Sequence, residues 1–238
     1  SERIHLFDTP LLVSRNMGLA VDQRAAKRVM DILISGIGII ITSPIMLIIA
    51  IAVKAYDRGP VFYFQERLTW GGKPFKICKF RSMCVDSEKN GARLASKHDS
   101  RITPVGHVLR NLHLDELPQL FNVFKGDMSL VGPRPERESI MLEYEKELPE
   151  FYYRLKVKAG LTGYAQVYGK YNTTPYDKLK LDLFYIENYS FLLDIKLIFM
   201  TVKIFFQKEV SEGVDDRQVN ALKYSGKNAG VSENKTEE

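Results

Sequence analysis

The longest apolar pattern in the chain runs from Ile32 to Val53, 22 residues without a charged side chain. At about 1.5 Å per residue such a helix reaches roughly 33 Å, enough to cross a bilayer core of about 30 Å. Two features argue against a plain crossing. Ser43-Pro44 falls at the midpoint, and a proline inside a helix removes one backbone hydrogen bond and crowds the preceding turn. Both flanks are also basic, with Lys27 and Arg28 before the run, and Lys54, Arg58, Lys73, Lys76, Lys79 and Arg81 after it. Lys and Arg favour the cytoplasmic side of a membrane, so both ends are satisfied only if both lie there. Each half, about 12 residues or 18 Å, reaches only the bilayer middle. The pattern therefore predicts a re-entrant helix-break-helix that enters one leaflet and returns, with a kinked full span as the alternative. Asp31 stands at its mouth, within helical reach of Lys27 and Arg28. The run starts too far from residue 1, and lacks the small-residue cleavage site, to be a signal peptide.

Ahead of it, residues 1–26 are weakly patterned, with a short strand expected at Leu11-Leu12-Val13. Beyond the Asp57-Arg58-Gly59-Pro60 turn, aromatic and β-branched residues surround Gly71-Gly72 and predict a β-hairpin. In its second strand Lys79 and Arg81 share a face, either as a cationic prong for substrate or as a surface for lipid headgroups. Residues 82–105 are polar and loop-like, a segment free to move over a site. Val105–Leu114 reads as a helix, and Pro118 opens another that runs to about Phe124. Glu136–Lys158 reads as a charged helix broken near Pro149, with an apolar stripe of Tyr144, Leu148, Phe151, Tyr152 and Leu155. Asp177–Tyr189 is an amphipathic helix that carries Asp182. Ile195–Phe206 is apolar but too short to span, and predicts a helix lying on the membrane or docked on the re-entrant one. The polar residues after Val214 predict a flexible tail. The fold class expected is α+β and mostly helical, with a membrane-inserted re-entrant helix, an adjacent hairpin and amphipathic interfacial helices.

Composition changes this picture little. With 238 residues, 45% hydrophobic and 26% charged, the chain can bury one sizeable core. The net charge of +5 suits anionic lipid, a nucleotide or nucleic acid and selects none of them. Cys78 and Cys84 have no His or Cys at zinc-ligand spacing and read as reduced thiols.

The chemistry concentrates in Leu114-Asp115-Glu116-Leu117-Pro118-Gln119-Leu120, followed by Val131-Gly132-Pro133-Arg134-Pro135. Asp115 and Glu116 read as a general acid/base pair, as a nucleophile beside a metal-binding carboxylate, or as two solvated acids at a helix start. Arg110, Arg134, Lys79 and Arg81 supply positive charge for a phosphate. Phosphoryl transfer rests on positioning and charge neutralisation, so carboxylates, Mg²⁺ and arginines form a sufficient kit. No Walker A motif, Gly-x-Gly-x-x-Gly or Ser-His-Asp pattern occurs, and His5, His98, His107 and His113 show no metal spacing.

These residues carry a resemblance. Lys27-Arg28, Asp31, Ser43-Pro44, Gly59-Pro60-Val61-Phe62, Gln65-Glu66-Arg67, Lys79-Phe80-Arg81-Ser82-Met83, Arg101-Ile102-Thr103 and Arg110 stand in order. Leu114 to Leu120, Gly126-Asp127-Met128-Ser129, Val131 to Pro135, Gly160-Leu161-Thr162-Gly163, Leu181-Asp182 and Tyr185 follow. Together they resemble the bacterial sugar transferases, monotopic polyprenyl-phosphate phosphoglycosyl transferases, near the catalytic domain of long-form undecaprenyl-phosphate glucose or galactose phosphotransferases. Ala159 and Tyr164 stand where the family pattern has proline and tryptophan. The resemblance implies a lead-in segment (1–26), a re-entrant membrane helix (27–56), a cytosolic catalytic domain (57–214) and a tail (215–238). It implies that Asp115 attacks the β-phosphate of a UDP-sugar, most simply UDP-glucose or UDP-galactose, expelling UMP. Undecaprenyl phosphate would then take the sugar phosphate, in the first membrane step of exopolysaccharide, capsule or O-antigen synthesis. Glu116 with Asp115 would bind Mg²⁺, while Arg110, Arg134, Lys79, Arg81, Gln119 and Asp182 would contact substrate. The expected partners are the UDP-sugar, the lipid phosphate and one leaflet of the bacterial inner membrane at its cytosolic face. Nucleic acid is not among them, and a homo-oligomer is compatible. A non-catalytic membrane scaffold and a UDP-sugar hydrolase are the competing classes.

Overall fold

The computed structural model describes residues 2–6, 9–13, 19–85, 87, 99–169 and 173–205. The tail expected at 215–238 and the middle of the polar loop expected at 82–105 lie outside them. Strands β1 (Glu2–Leu6) and β2 (Thr9–Val13) pair antiparallel ahead of the main body, so Leu11–Val13 is strand as expected.

Helix α1 spans Val21–Asp57, 37 residues that include Pro44. Here the structure departs from the expected helix-break-helix: the helix runs through the proline without interruption. Pro44 has no N–H to give to the carbonyl of Ile40, and the Ser43 hydroxyl donates to that carbonyl instead, at 2.8 Å. Ser43 thus replaces the bond that Pro44 removes. Thr42 makes a similar bond back to Gly38, at 2.7 Å.

One stripe of α1, comprising Lys27, Asp31, Ser35, Ile39, Met46, Ile49 and Val53, faces the rest of the protein. Its steps of three, four and seven are those of a helix face. The opposite face, including Leu33, Ile37, Ile40, Ile41, Ile45, Ile48 and Ile51, is exposed and apolar. A lateral ridge of isoleucine of this kind is a surface water does not favour. By length and composition α1 is able to cross a membrane.

The docking of α1 redefines its basic flank. Lys27 does not pair with Asp31; its ammonium lies 2.5 Å from Asp194 and 3.2 Å from the Tyr185 hydroxyl. Arg28 donates to the carbonyls of Val123 and Phe124, at 2.8 and 2.7 Å, in the last turn of a helix where a cation is favoured. Asp31 accepts from the Ser129 hydroxyl and the Leu130 N–H, at 3.0 and 2.9 Å.

The hairpin forms as expected from β3 (Phe62–Leu68) and β4 (Pro74–Phe80), in register from Phe62 opposite Phe80 to Leu68 opposite Pro74. Gly71 and Gly72 turn it with φ of 68° and 73°, the left-handed region that glycine enters without steric penalty. The outer edge of β4 is closed by Asn122, whose side chain accepts from the Cys78 N–H and donates to the Lys76 carbonyl. Asn122 belongs to α3 (Gln119–Lys125), which follows α2 (Pro104–Asn111).

Strands β5 (Ser129–Val131) and β6 (Gly160–Thr162) pair in parallel. Between them lie α4 (Glu138–Glu147) and a 3-10 segment, Pro149–Lys156, matching the expected break at Pro149. The short α5 (Tyr164–Tyr168), α6 (Pro175–Glu187) and α7 (Phe191–Phe205) complete the body. The main core joins Val123, Met128, Val131, Met141, Phe151, Leu179 and Leu197. A second cluster sets Met46, Ile49 and Val53 of α1 against Phe80 and Leu109. Of the two arrangements expected for the last helix, the body side of α7 is docked, with Asp194 and Leu197 fully buried, while Leu192, Phe199 and Val202 remain exposed.

Candidate active site

Asp115 and Glu116 lie on a 3-10 turn, Leu114–Glu116, between α2 and α3. The sequence placed them at the start of a helix opened by Pro118; in the structure Pro118 caps α3 and the acids precede it. His113 enters the turn in the left-handed region, φ 52°, which is uncommon for a residue with a Cβ. Leu114 and Leu117 pack on the cluster formed by Met46, Ile49, Val53, Phe80 and Leu109. The two acids are therefore held between leucines anchored on the apolar helix, an arrangement that burial of about 1.5–3 kcal/mol per large side chain stabilises.

The two carboxylates have different surroundings. Oε1 of Glu116 accepts from Lys79 Nζ at 2.6 Å and from Arg134 Nη2 at 2.8 Å. Burial works against its ionisation, but the charges of Arg134 and Lys79 outweigh it and hold the carboxyl well below the usual carboxylate range. The Glu116 charge in turn raises the Arg134 guanidinium. Asp115 is 8% exposed, and among the described residues nothing hydrogen-bonds to its carboxylate. Burial pushes its carboxyl up, Lys79 and Arg110 oppose that, and the Glu116 charge adds to it. A carboxylate that is largely desolvated and has no hydrogen-bond partner is less stabilised as an anion than its neighbour, which two cations hold in place. Two carboxyls in contrasting environments are a usual basis for division of roles.

The structure brings four of the sequence-predicted cations and amides to this turn and leaves two residues elsewhere. Lys79 and Arg134 hold Glu116. Arg110, in the last turn of α2, acts on the Asp115 charge, and among the described residues its guanidinium makes no hydrogen bond or ion pair. Gln119, one turn after Glu116, is 3% exposed, and its Nε2 has no partner among the described residues. Arg81, by contrast, is buried and paired with Asp57 at the end of α1, so it braces the helix exit. Asp182 is 1% exposed and accepts from Arg154 Nε at 3.0 Å, with Nη2 2.8 Å from the same oxygen, so it lies behind the site.

Arg154 and Glu136 were missed. A signal for Arg154 existed, since it interrupts the apolar stripe of Phe151 and Leu155, and a charge on a buried stripe requires a buried partner. Asp182, alone among Leu179, Leu183, Tyr185 and Ile186 on the inner face of α6, is that partner.

Among the described residues no three His, Cys, Asp or Glu side chains gather as a metal cage. Mg²⁺ does not need one, because it is commonly held by one or two carboxylates together with substrate phosphates and water. An ionised Glu116 beside an unpaired Asp115 fits that requirement.

The family described as bacterial sugar transferase matches residues 22–208, from the start of α1 past the end of α7. The chain belongs to that family. An Aeromonas hydrophila UDP-N-acetylgalactosamine-undecaprenyl-phosphate N-acetylgalactosaminephosphotransferase is 46% identical over 180 residues, covering 74% of this chain and 43% of the relative. A Klebsiella pneumoniae UDP-glucose:undecaprenyl-phosphate glucose-1-phosphate transferase is 43% identical over 204 residues, 84% of this chain and 42% of its own length. A putative undecaprenyl-phosphate N-acetylgalactosaminyl 1-phosphate transferase of Bacillus subtilis is 50% identical over 131 residues, 55% of this chain and 73% of the relative. This sugar transferase chain thus matches less than half the length of the first two.

Proposed function

We propose that this sugar transferase moves a sugar 1-phosphate from a UDP-sugar to undecaprenyl phosphate and releases UMP. The observation that carries the reading is the pairing of a buried, unpartnered Asp115 with a Glu116 held ionised by Lys79 and Arg134. A carboxylate oxygen of Asp115 attacks the β-phosphorus; the bond from that phosphorus to the bridging oxygen breaks, and UMP leaves with the electron pair. An oxygen of the lipid phosphate then attacks the same phosphorus and frees the Asp115 carboxylate. Arg110 and Arg134 neutralise the phosphates, and Lys79 keeps Glu116 charged and in place. Glu116, with Asp115 beside it, would hold Mg²⁺, which supplies charge neutralisation on the diphosphate. Glucose, galactose and N-acetylgalactosamine are the sugars to test, the first and third because the relatives named above act on them.

The membrane arrangement belongs to the same proposal: α1 lies along the cytosolic leaflet of the inner membrane without crossing it. What supports this is that both ends of α1 dock on one body, Lys27 and Arg28 through Asp194 and α3, and Asp57 through Arg81. A crossing helix would separate those contacts by about 30 Å of hydrocarbon. The exposed isoleucine face would lie in the acyl chains, with the acids at the height of the lipid phosphate.

The test is UMP release from UDP-glucose, UDP-galactose and UDP-N-acetylgalactosamine, with and without undecaprenyl phosphate and Mg²⁺. Release that needs both and disappears in Asp115→Asn is expected. Release by Asp115→Asn at the wild-type rate would remove the nucleophile, and release that ignores the lipid would indicate a hydrolase.

A further inference from the structure

The segment that carries Arg134 is fastened in an unusual way. Pro133 and Pro135 flank it, so two of its N–H donors are missing and it cannot join a sheet through them. Its carbonyls do the holding instead. The Gly160 N–H donates to Pro133 at 2.9 Å, and Arg154 Nη2 donates to Arg134 at 2.9 Å. Arg67 Nη1 donates to Pro135 at 3.2 Å, and the Leu68 N–H donates to Glu136 at 3.0 Å. Four consecutive carbonyls, 133–136, are claimed by three parts of the fold: β6, the 3-10 segment and β3.

Arg154 is the donor on the residue that matters. It is 2% exposed, its Nε donates to Asp182 with Nη2 2.8 Å from the same oxygen, and its Nη1 lies 3.6 Å from Glu136. Lys178 neutralises Glu136 from the other side. Replacing a buried ion pair by well-packed apolar residues is often neutral or stabilising, so stability is a weak reason for Arg154–Asp182. Geometry is a better one. Only a guanidinium presents several donors in a fixed fork, and here one fork joins a carboxylate on α6 to the main chain at Arg134.

We propose that Arg154, oriented by Asp182, is a positioning residue that fixes the Arg134 main chain and so sets where the Arg134 guanidinium meets Glu116 and substrate phosphate. The inference rests on the reading of the site given above. It makes Asp182 a support for the phosphate-binding arginine, acting without touching substrate.

The test is a double-mutant cycle on the UMP-release rate of the whole chain in lipid nanodiscs, with thermal unfolding measured on every variant. Arg154→Lys keeps the charge against Asp182 and loses the fork. It is expected to lower kcat about tenfold in the wild-type background and less than about twofold further in Arg134→Ala, because residues acting through one group are not additive. Equal fold-losses in both backgrounds would overturn the inference, since a general loosening of the fold does not depend on Arg134. Wild-type protein without turnover on any UDP-sugar would overturn the reading of the site and the inference with it. If Arg154→Lys does not accumulate folded, Arg67→Gln carries the same cycle through the Pro135 carbonyl, with the same outcomes.

Discussion

Asp31→Ala and Asp31→Asn together test how α1 is attached to the catalytic body. Asp31 is 2% exposed, and one of its oxygens accepts from both the Ser129 hydroxyl and the Leu130 N–H. Alanine removes that acceptor and strands two buried donors, each at about 1–3 kcal/mol. The Ser129 hydroxyl can rotate toward another acceptor whereas the Leu130 N–H cannot, so a total loss of about 2–4 kcal/mol is expected. Asparagine keeps an acceptor oxygen in place and loses only the charge, for less than about 1 kcal/mol. For a body of this size about 1 kcal/mol shifts the midpoint by roughly 2–4 °C. Alanine should therefore lower Tm by about 5–15 °C and asparagine by less than about 4 °C. The assay is thermal unfolding in nanodiscs followed by the fluorescence of Trp70, the single tryptophan, which lies against Arg24 near the start of α1. Equal stability of the two variants, with both near wild type, would mean that Asp31 does not cap β5. Equal and large losses would mean that its charge matters, as the proximity of Lys27 and Arg28 in sequence had implied.

Two further outcomes follow from the acid pair. Asp115→Asn should cut turnover by about 10³-fold or more while raising Tm slightly at pH 7. Burial lifts the Asp115 carboxyl, so its contribution to stability is full below the ordinary carboxylate pKa and is lost as pH rises; the gap between variant and wild type should close in acid. Glu116→Gln should show the opposite sign. Burial resists the Glu116 charge but Arg134 and Lys79 outweigh it, so its stabilisation is present above the ordinary carboxylate pKa and fades as pH falls. Midpoints measured from pH 3 to pH 8 check both, and a Glu116→Gln protein as stable as wild type at pH 7 would contradict the second.

Local signals in the sequence were read well where the cause is local. The Gly71-Gly72 turn and the break at Pro149 are written in neighbouring residues, whereas Pro44 did not break α1 because the Ser43 hydroxyl fills the carbonyl it leaves open. The acid pair is legible locally too, although its 3-10 geometry depends on a left-handed His113 that no nearby glycine announces. What was not legible lies in partners far apart in sequence. Asp31 and Lys27 are four residues apart, so pairing them seemed natural, yet their partners are 98 and 167 residues away. Arg81 follows Lys79 by two residues, one past the end of β4, but the two side chains go to Asp57 and Glu116 respectively.

The bond between Lys27 and Asp194 also orders events during synthesis. The helix emerges first, and its cation meets its carboxylate only after 167 further residues. Until then Lys27 lacks its carboxylate and water must solvate it, whereas Arg28 and Asp31 find their partners after 95 and 98 residues. The strand that Asp31 caps arrives next, and α7 arrives last. A ribosome adds about 5–20 residues per second, so this interval lasts on the order of ten seconds. The N-terminal part of α1 therefore waits longest for its partner, and the Lys27–Asp194 pair ties it to a body whose core is already largely synthesised.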